Sequence, residues 1–273
     1  MSMREARRRR SGSRARSGDR KTLLGWLVLV SAVVIAGGIF AAKSYLTPAS
    51  STWDQTTLCP STGPTAVHVV LLDRSDPITP LQAQRVRQLV DRIIEDAQPG
   101  ERVDLYVAEG DGREALLPRV SLCNPGREGN PYYQNPRRIR ERYEASFKAP
   151  VERTLASLLE PSGRNNSPII ESIKSVCVAA FGPLPQGRPT RVTVVSDMLQ
   201  NSNLISHFRE RDFEAFARSP RLTLALADCR SAQFSVLYLL RPEHRRIQDR
   251  GHQLFWEKLI DRNNARLIRM EAI

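Results

Sequence analysis

Two apolar runs in this chain end in aspartate. Val67-His68-Val69-Val70-Leu71-Leu72 stops at Asp73, with Ser75 and Asp76 close behind. Val192-Thr193-Val194-Val195-Ser196 stops at Asp197. A third polar point, Ser167, heads an apolar helical pattern. Carboxylates and hydroxyls are hard oxygen donors of the kind Mg²⁺ and Mn²⁺ take, and Mg²⁺ keeps several waters in such sites. Asp73, Ser75, Asp76, Ser167 and Asp197 are the residues of that kind at these element ends. Asp73, Asp76, Glu171 and Asp197 form an alternative set, holding Mg²⁺ for hydrolytic or phosphoryl chemistry. No Lys, His or Arg stands at a recognisable catalytic spacing, so the chain reads as a non-enzyme. The plainer alternatives are a turn before Pro77 built by Asp73 and Asp76, and a helix N-cap at Ser167. There is no Gly-x-Ser-x-Gly, P-loop or dinucleotide fingerprint. His244 and His252 lack the i, i+4 spacing of a helical metal site. His68 reads as a satisfied core residue. Trp53, Trp256, Phe208, Phe213 and Phe216 read as core rather than a ligand cage.

These residues need elements to position them. The run Val67–Leu72 has the composition of a strand buried on both faces, at the centre of a parallel sheet. Ligands of open α/β sheets bind beyond the carboxyl ends of the strands, which is where Asp73 and Asp197 stand. Thr79-Pro80-Leu81-Gln82 is a capping box with Pro at the first helical position. Its helix runs to Pro99-Gly100 with an apolar face from Leu81 to Ala97. Val103, Leu105 and Val107 alternate as a second strand. Gly110-Asp111-Gly112 is a hairpin turn signal, so 115–122 should return antiparallel at the sheet edge. Residues 137–159 read as helical, with Pro150 breaking or restarting the helix. Further helices are expected after Ser167-Pro168, over 207–218 and over 244–263. Strands are expected over 191–196, 234–240 and 266–273, and 222–227 is ambiguous. Alternating strands and helices imply a doubly wound α/β fold, its mostly parallel sheet carrying one antiparallel edge strand and helices on both faces.

The chain has 273 residues and a net charge of +12. Residues 1–21 hold nine Lys and Arg against Glu5 and Asp19, so most of the charge lies in a tail. The expected organisation is a basic cytoplasmic tail (1–21), a transmembrane helix (22–43), a Ser/Thr/Pro-rich spacer (44–64) and an α/β domain (65–273). Leu23–Ala42 carries no charged residue, and its length at ~1.5 Å per residue matches a bilayer core of about 30 Å. A cleaved signal peptide is the alternative, but its apolar region is usually shorter, about 7–15 residues. The positive-inside rule puts the tail in the cytoplasm. That makes the chain a single-pass, signal-anchored protein of the cytoplasmic membrane, with its domain in the periplasm or its equivalent. The lipid bilayer, through residues 22–43, and a protein are the expected partners; nucleic acid is not. Cys59, Cys123, Cys177 and Cys229 all follow the span, and an even number outside the cytoplasm permits disulfides. Cys59 with Cys123 is the favoured pair, both being expected at the sheet end opposite the site. Cys177 falls in an apolar helical pattern and reads as a buried free thiol.

The order of these features over roughly residues 64–273 resembles the von Willebrand factor A fold. Asp73 and Ser75 match the first two ligands of that family's Asp-x-Ser-x-Ser loop, and Pro77 stands where its second Ser would be, with Asp76 beside it as the substitute. Ser167 is the nearest equivalent of the family's second-loop Thr, and Asp197 matches its third-loop Asp. The resemblance implies a protein-interaction module with a degenerate metal-ion-dependent adhesion site, completed by Mg²⁺ or Mn²⁺ and a partner's carboxylate. A metal-free structural scaffold of an envelope assembly is the further alternative.

Overall fold

A computed structural model describes residues 18–46, 53–109, 116–128, 135–160 and 166–273. Two compact units divide the chain near residue 51.

The first unit contains helix α1 (Gly18–Leu46). Its described side chains, 24–39, are all exposed, among them Leu27, Val34 and Ile39. Among the described residues no helix is long and apolar enough to cross a membrane. The flanks of the expected span, 22–23 and 40–43, have side chains outside the described set.

The second unit is a six-stranded sheet with helices on both faces. Its elements are β1 (Val67–Asp73), α2 (Pro80–Asp96), β2 (Arg102–Ala108), β3 (Val120–Cys123), α3 (Pro136–Tyr143), α4 (Ala149–Leu158), α5 (Ile169–Val176), β4 (Thr190–Ser196), α6 (Phe213–Arg218), α7 (Arg221–Ala225), β5 (Ala232–Tyr238), α8 (Arg250–Arg262) and β6 (Ala265–Ala272). The strand order is β3-β2-β1-β4-β5-β6. Among the described strands only β3 runs antiparallel, against β2, at one edge. This is the doubly wound, mostly parallel architecture expected from the alternation of strands and helices.

β1 is central because its side chains are apolar on both faces. Val67, Val69 and Leu71 enter one core with Val192, Val194, Phe234 and residues of α5 and α8. Val70 and Leu72 enter the other with Val86, Val90, Leu105 and residues of α4. Period-two alternation sends neighbours to opposite faces. His68 is the polar exception, and its Nε2 meets Thr193 Oγ1 at 2.9 Å. Both cores are built wholly from residues between Leu58 and Ile273, so this unit carries a complete interior of its own.

Local chemistry explains the element ends. Thr79 and Gln82 form the expected reciprocal capping box, with Pro80 in the first turn of α2. A π-helical turn, Glu144–Lys148, joins α3 to α4. It absorbs Pro150, whose missing N–H would break a regular ladder, so Pro150 restarts the helix rather than ending it.

Several expectations are corrected. Helix over 207–218 shrinks to α6, because the Asp212 carboxylate caps the N–H groups of Glu214 and Ala215. Helix over 244–263 starts only at Arg250, where Asp249 caps it, and Pro242–His244 forms a single 3₁₀ turn. The ambiguous 222–227 is the short helix α7. The antiparallel strand is shorter than 115–122, and the expected hairpin turn at 110–112 lies outside the described residues. Cys177 is not a free thiol: it is bonded to Cys229.

Cys59 is bonded to Cys123, as favoured. Cys123 pairs with Arg102, the first residue of β2, so this bond lies at the sheet end opposite Asp73. The cross-links span sequence separations of 64 and 52 residues. In the chain-entropy account, loops of that length stabilise by about 4 kcal/mol each.

Candidate functional site

Three parallel strands deliver the site. Asp73 closes β1, Asp197 follows β4, and Arg241 lies three residues beyond β5. Parallel neighbours in register bring their carboxyl ends to one edge. Ser167 arrives from the loop before α5, which is tied to the loop after β4 by an isolated bridge to Asn201.

Asp73 is buried and fully engaged. Its Oδ2 accepts the hydroxyls of Ser167 and Ser196, each at 2.8 Å. Its Oδ1 accepts the backbone N–H of Ser75 at 3.0 Å, closing a tight turn. Ser196 Oγ in turn accepts the Met198 N–H at 2.7 Å.

Asp197 lies beside this group. Its Oδ1 accepts the Leu199 N–H at 2.9 Å, and its Oδ2 accepts Arg241 Nε at 3.0 Å. The side chains of Arg241 and Asp197 are only 9% and 2% exposed. Arg241 Nη1 also donates to the Pro77 carbonyl at 2.5 Å. Gln248 clamps the rest. Its Oε1 accepts the Arg241 N–H at 2.7 Å, and its Nε2 donates to the carbonyls of Asp197 and Leu239 at 3.0 and 2.9 Å. Burial, and next the negative charge of Asp73, push the Asp197 carboxyl up to about 7; the Leu199 N–H and Arg241 pull the other way but do not win.

Behind Asp197 lies a buried ring cluster. Met198 holds a left-handed φ of 61°, unusual for a residue with a side chain. Its carbonyl accepts Trp256 Nε1 at 3.0 Å and meets His252 Nε2 at 3.0 Å. Tyr238 Oη lies 2.6 Å from His252 Nδ1, and His207 Nδ1 lies 2.9 Å from His252 Nε2. A Tyr238 hydroxyl donating to Nδ1 leaves the His252 Nε2–H for Met198 and His207. The Nε2 of His207 is then buried without a partner among the described residues. Burial holds His207 down to about 3 and His252 to about 4.

The structure thus brings Asp73, Ser167 and Asp197 together, with Ser75 contributing its backbone. Asp76 is exposed on the loop. Glu171 is committed elsewhere, accepting Gln200 Nε2 at 2.9 Å and Ser202 Oγ at 2.5 Å. Sequence reasoning missed Ser196, Arg241 and Gln248. For Arg241 a signal existed: the apolar run of β5 also ends in a charged residue, as those of β1 and β4 do.

Whether these donors suit a resident divalent ion turns on charge and valence. Among the described residues no three His, Cys, Asp or Glu side chains cluster as ligands. Asp73 and Asp197 supply at most two negative charges, and a guanidinium already offsets one. A divalent ion beside Arg241 would leave this buried site with net positive charge, which is costly away from water. The hydroxyl proton of Ser167 and the Nε–H of Arg241 also point at the carboxylate oxygens an ion would use. The donor set fits a guanidinium, not a guanidinium plus Mg²⁺.

No family model matches the chain, and no curated protein matches its sequence. Among solved structures, it is similar to an aerotolerance-related membrane protein from Bacteroides fragilis NCTC 9343 carrying multiple mutations to serines. The identity is 12%, the match covers 76% of this chain and 91% of that one, and the TM-score is 0.41.

Proposed function

We propose that the chain is a membrane-anchored, von Willebrand factor A-like interaction module whose domain faces outside the cytoplasm. The observation that carries the reading is the convergence of three loops at the carboxyl edge of the sheet, around Asp73, Ser167 and Asp197. Such an edge is where an open α/β sheet meets its ligand. Ser75 and Asp76 form the accessible rim of that edge, the part a protein partner would touch. The two disulfides support an oxidising compartment, and the basic residues before the apolar run support an N-terminus inside. An enzymatic reading has less support, because the carboxylates it would use are spent on hydroxyls, amides and a guanidinium.

The test is site-specific photo-cross-linking in native membranes. A probe at Asp76 should give a discrete protein adduct, and a probe at Gln233, near the opposite end of the sheet, should not. The Asp76 adduct should weaken when Asp73→Asn loosens the loop. Adducts of equal yield from both positions, or from neither, would refute an interaction at this edge.

A further inference from the structure

Arg241 is an unusual residue to bury at the edge of a sheet. A guanidinium cannot shed its proton to escape the cost of desolvation. Its cost must be met by partners, and here three loops supply them. Nε binds Asp197 on the loop after β4, Nη1 binds the Pro77 carbonyl on the loop after β1, and the backbone of Arg241 is fixed by Gln248. The planar fork suits this bridging, because it presents donors in fixed directions to two acceptors at once.

Pro77 and Arg241 are complementary departures from an ion-binding arrangement. Proline has no side-chain ligand for a cation, but its carbonyl is free to accept one of the guanidinium's donors. Asp197 keeps an Oδ2 that faces a positive charge, except that the charge is covalently attached to the chain. We propose that Arg241 is a built-in cation standing where a divalent ion would otherwise be needed, so that the loops carrying Asp73, Pro77 and Asp197 hold together without metal. This rests on those loops forming one site, and not on which partner the site meets; melting reads it with no partner present.

The experiment follows thermal unfolding of residues 52–273, whose two cores are complete, in EDTA and with added Mn²⁺ or Mg²⁺. The wild-type midpoint should move by less than about 1 °C on adding metal. Arg241→Gln keeps the stem and an amide but removes the charge, so it should melt lower in EDTA. Metal at a hundredfold excess over its Kd should then raise its midpoint by about 5–10 °C. Asp73→Asn in the Arg241→Gln background should abolish that rise. The inference is overturned by a wild-type midpoint that climbs with metal, by an Arg241→Gln protein that is destabilised but insensitive to metal, or by a rise that survives Asp73→Asn. Should Arg241→Gln fail to fold in EDTA, folding restored by Mn²⁺ supports the proposal, and failure in both buffers overturns it.

Discussion

The buried imidazoles make stability depend on pH in a direction that can be worked out. Burial, and next the adjacent His252, hold His207 down to about 3 from an ordinary 6.5. A histidine with a depressed folded value is neutral in the native state and charges only on unfolding. Its contribution is complete above about pH 7 and is lost as pH falls through 6.5 towards 3. Between pH 7.5 and 5.0, protonation of one freed imidazole favours the unfolded chain by about 2 kcal/mol. His252 adds a similar amount, and half-buried His68, also held to about 3, adds less. Asp197, its carboxyl raised by burial and by Asp73, takes up a proton in the folded state as pH falls and so offsets part of this loss. Because buried Asp104 is also raised, the cleanest measurement is a difference between two proteins. His207→Phe retains a ring against Phe255 and Trp256 and removes the unpartnered Nε2. Urea unfolding of residues 52–273 at pH 7.5 and 5.0 should show the variant losing about 2 kcal/mol less than wild type. Parallel pH profiles for the two proteins would refute a neutral, buried His207.

Three further outcomes are expected. A reporter active only outside the cytoplasm, fused after Ile273, should be active, and an inactive but well-expressed fusion would reverse the orientation. Alkylation of the unreduced, unfolded protein should label no cysteine, and Cys177→Ser with Cys229→Ser should lower stability by up to about 4 kcal/mol in urea titrations. Gln248→Ala strips partners from the Arg241 N–H and leaves the Asp197 and Leu239 carbonyls short of a donor; a loss of about 2–4 kcal/mol is expected, and a loss under about 0.5 kcal/mol would show the clamp to be ornamental.

What could be read from sequence is what depends on local pattern. The all-apolar β1 run, the Thr79–Gln82 box and the abrupt polar starts at Asp73 and Asp197 each carry their meaning within a few residues. The doubly wound order followed from them, and so did the edge at which Asp73, Ser167 and Asp197 meet. What was not legible depends on distant partners. Ser196 looked like one more strand residue until its hydroxyl was seen to reach Asp73 across β1 and β4. Arg241 stood at the end of an apolar run, but nothing local records that Asp197 and the Pro77 carbonyl await it. Cys177 read as a thiol because its own helix gives no hint of Cys229. The helix expected over 207–218 carries three phenylalanines, but Phe208 and Phe213 meet different neighbours. Phe208 meets His244 edge-on while Phe213 packs on Phe255, and Asp212 begins the helix between them.

The two disulfides join the first cysteine to the second and the third to the fourth. Their covalent loops, 59–123 and 177–229, neither overlap nor nest. For a domain that crosses a membrane pore in N-to-C order, Cys59 meets Cys123 while Cys177 is still to come. An oxidase that joins each pair of thiols as it appears therefore arrives at the native connectivity without error correction. Of the three ways to pair four cysteines, this is the one that needs no isomerase. Maturation of the domain should accordingly depend on a thiol oxidant and not on a disulfide-shuffling enzyme.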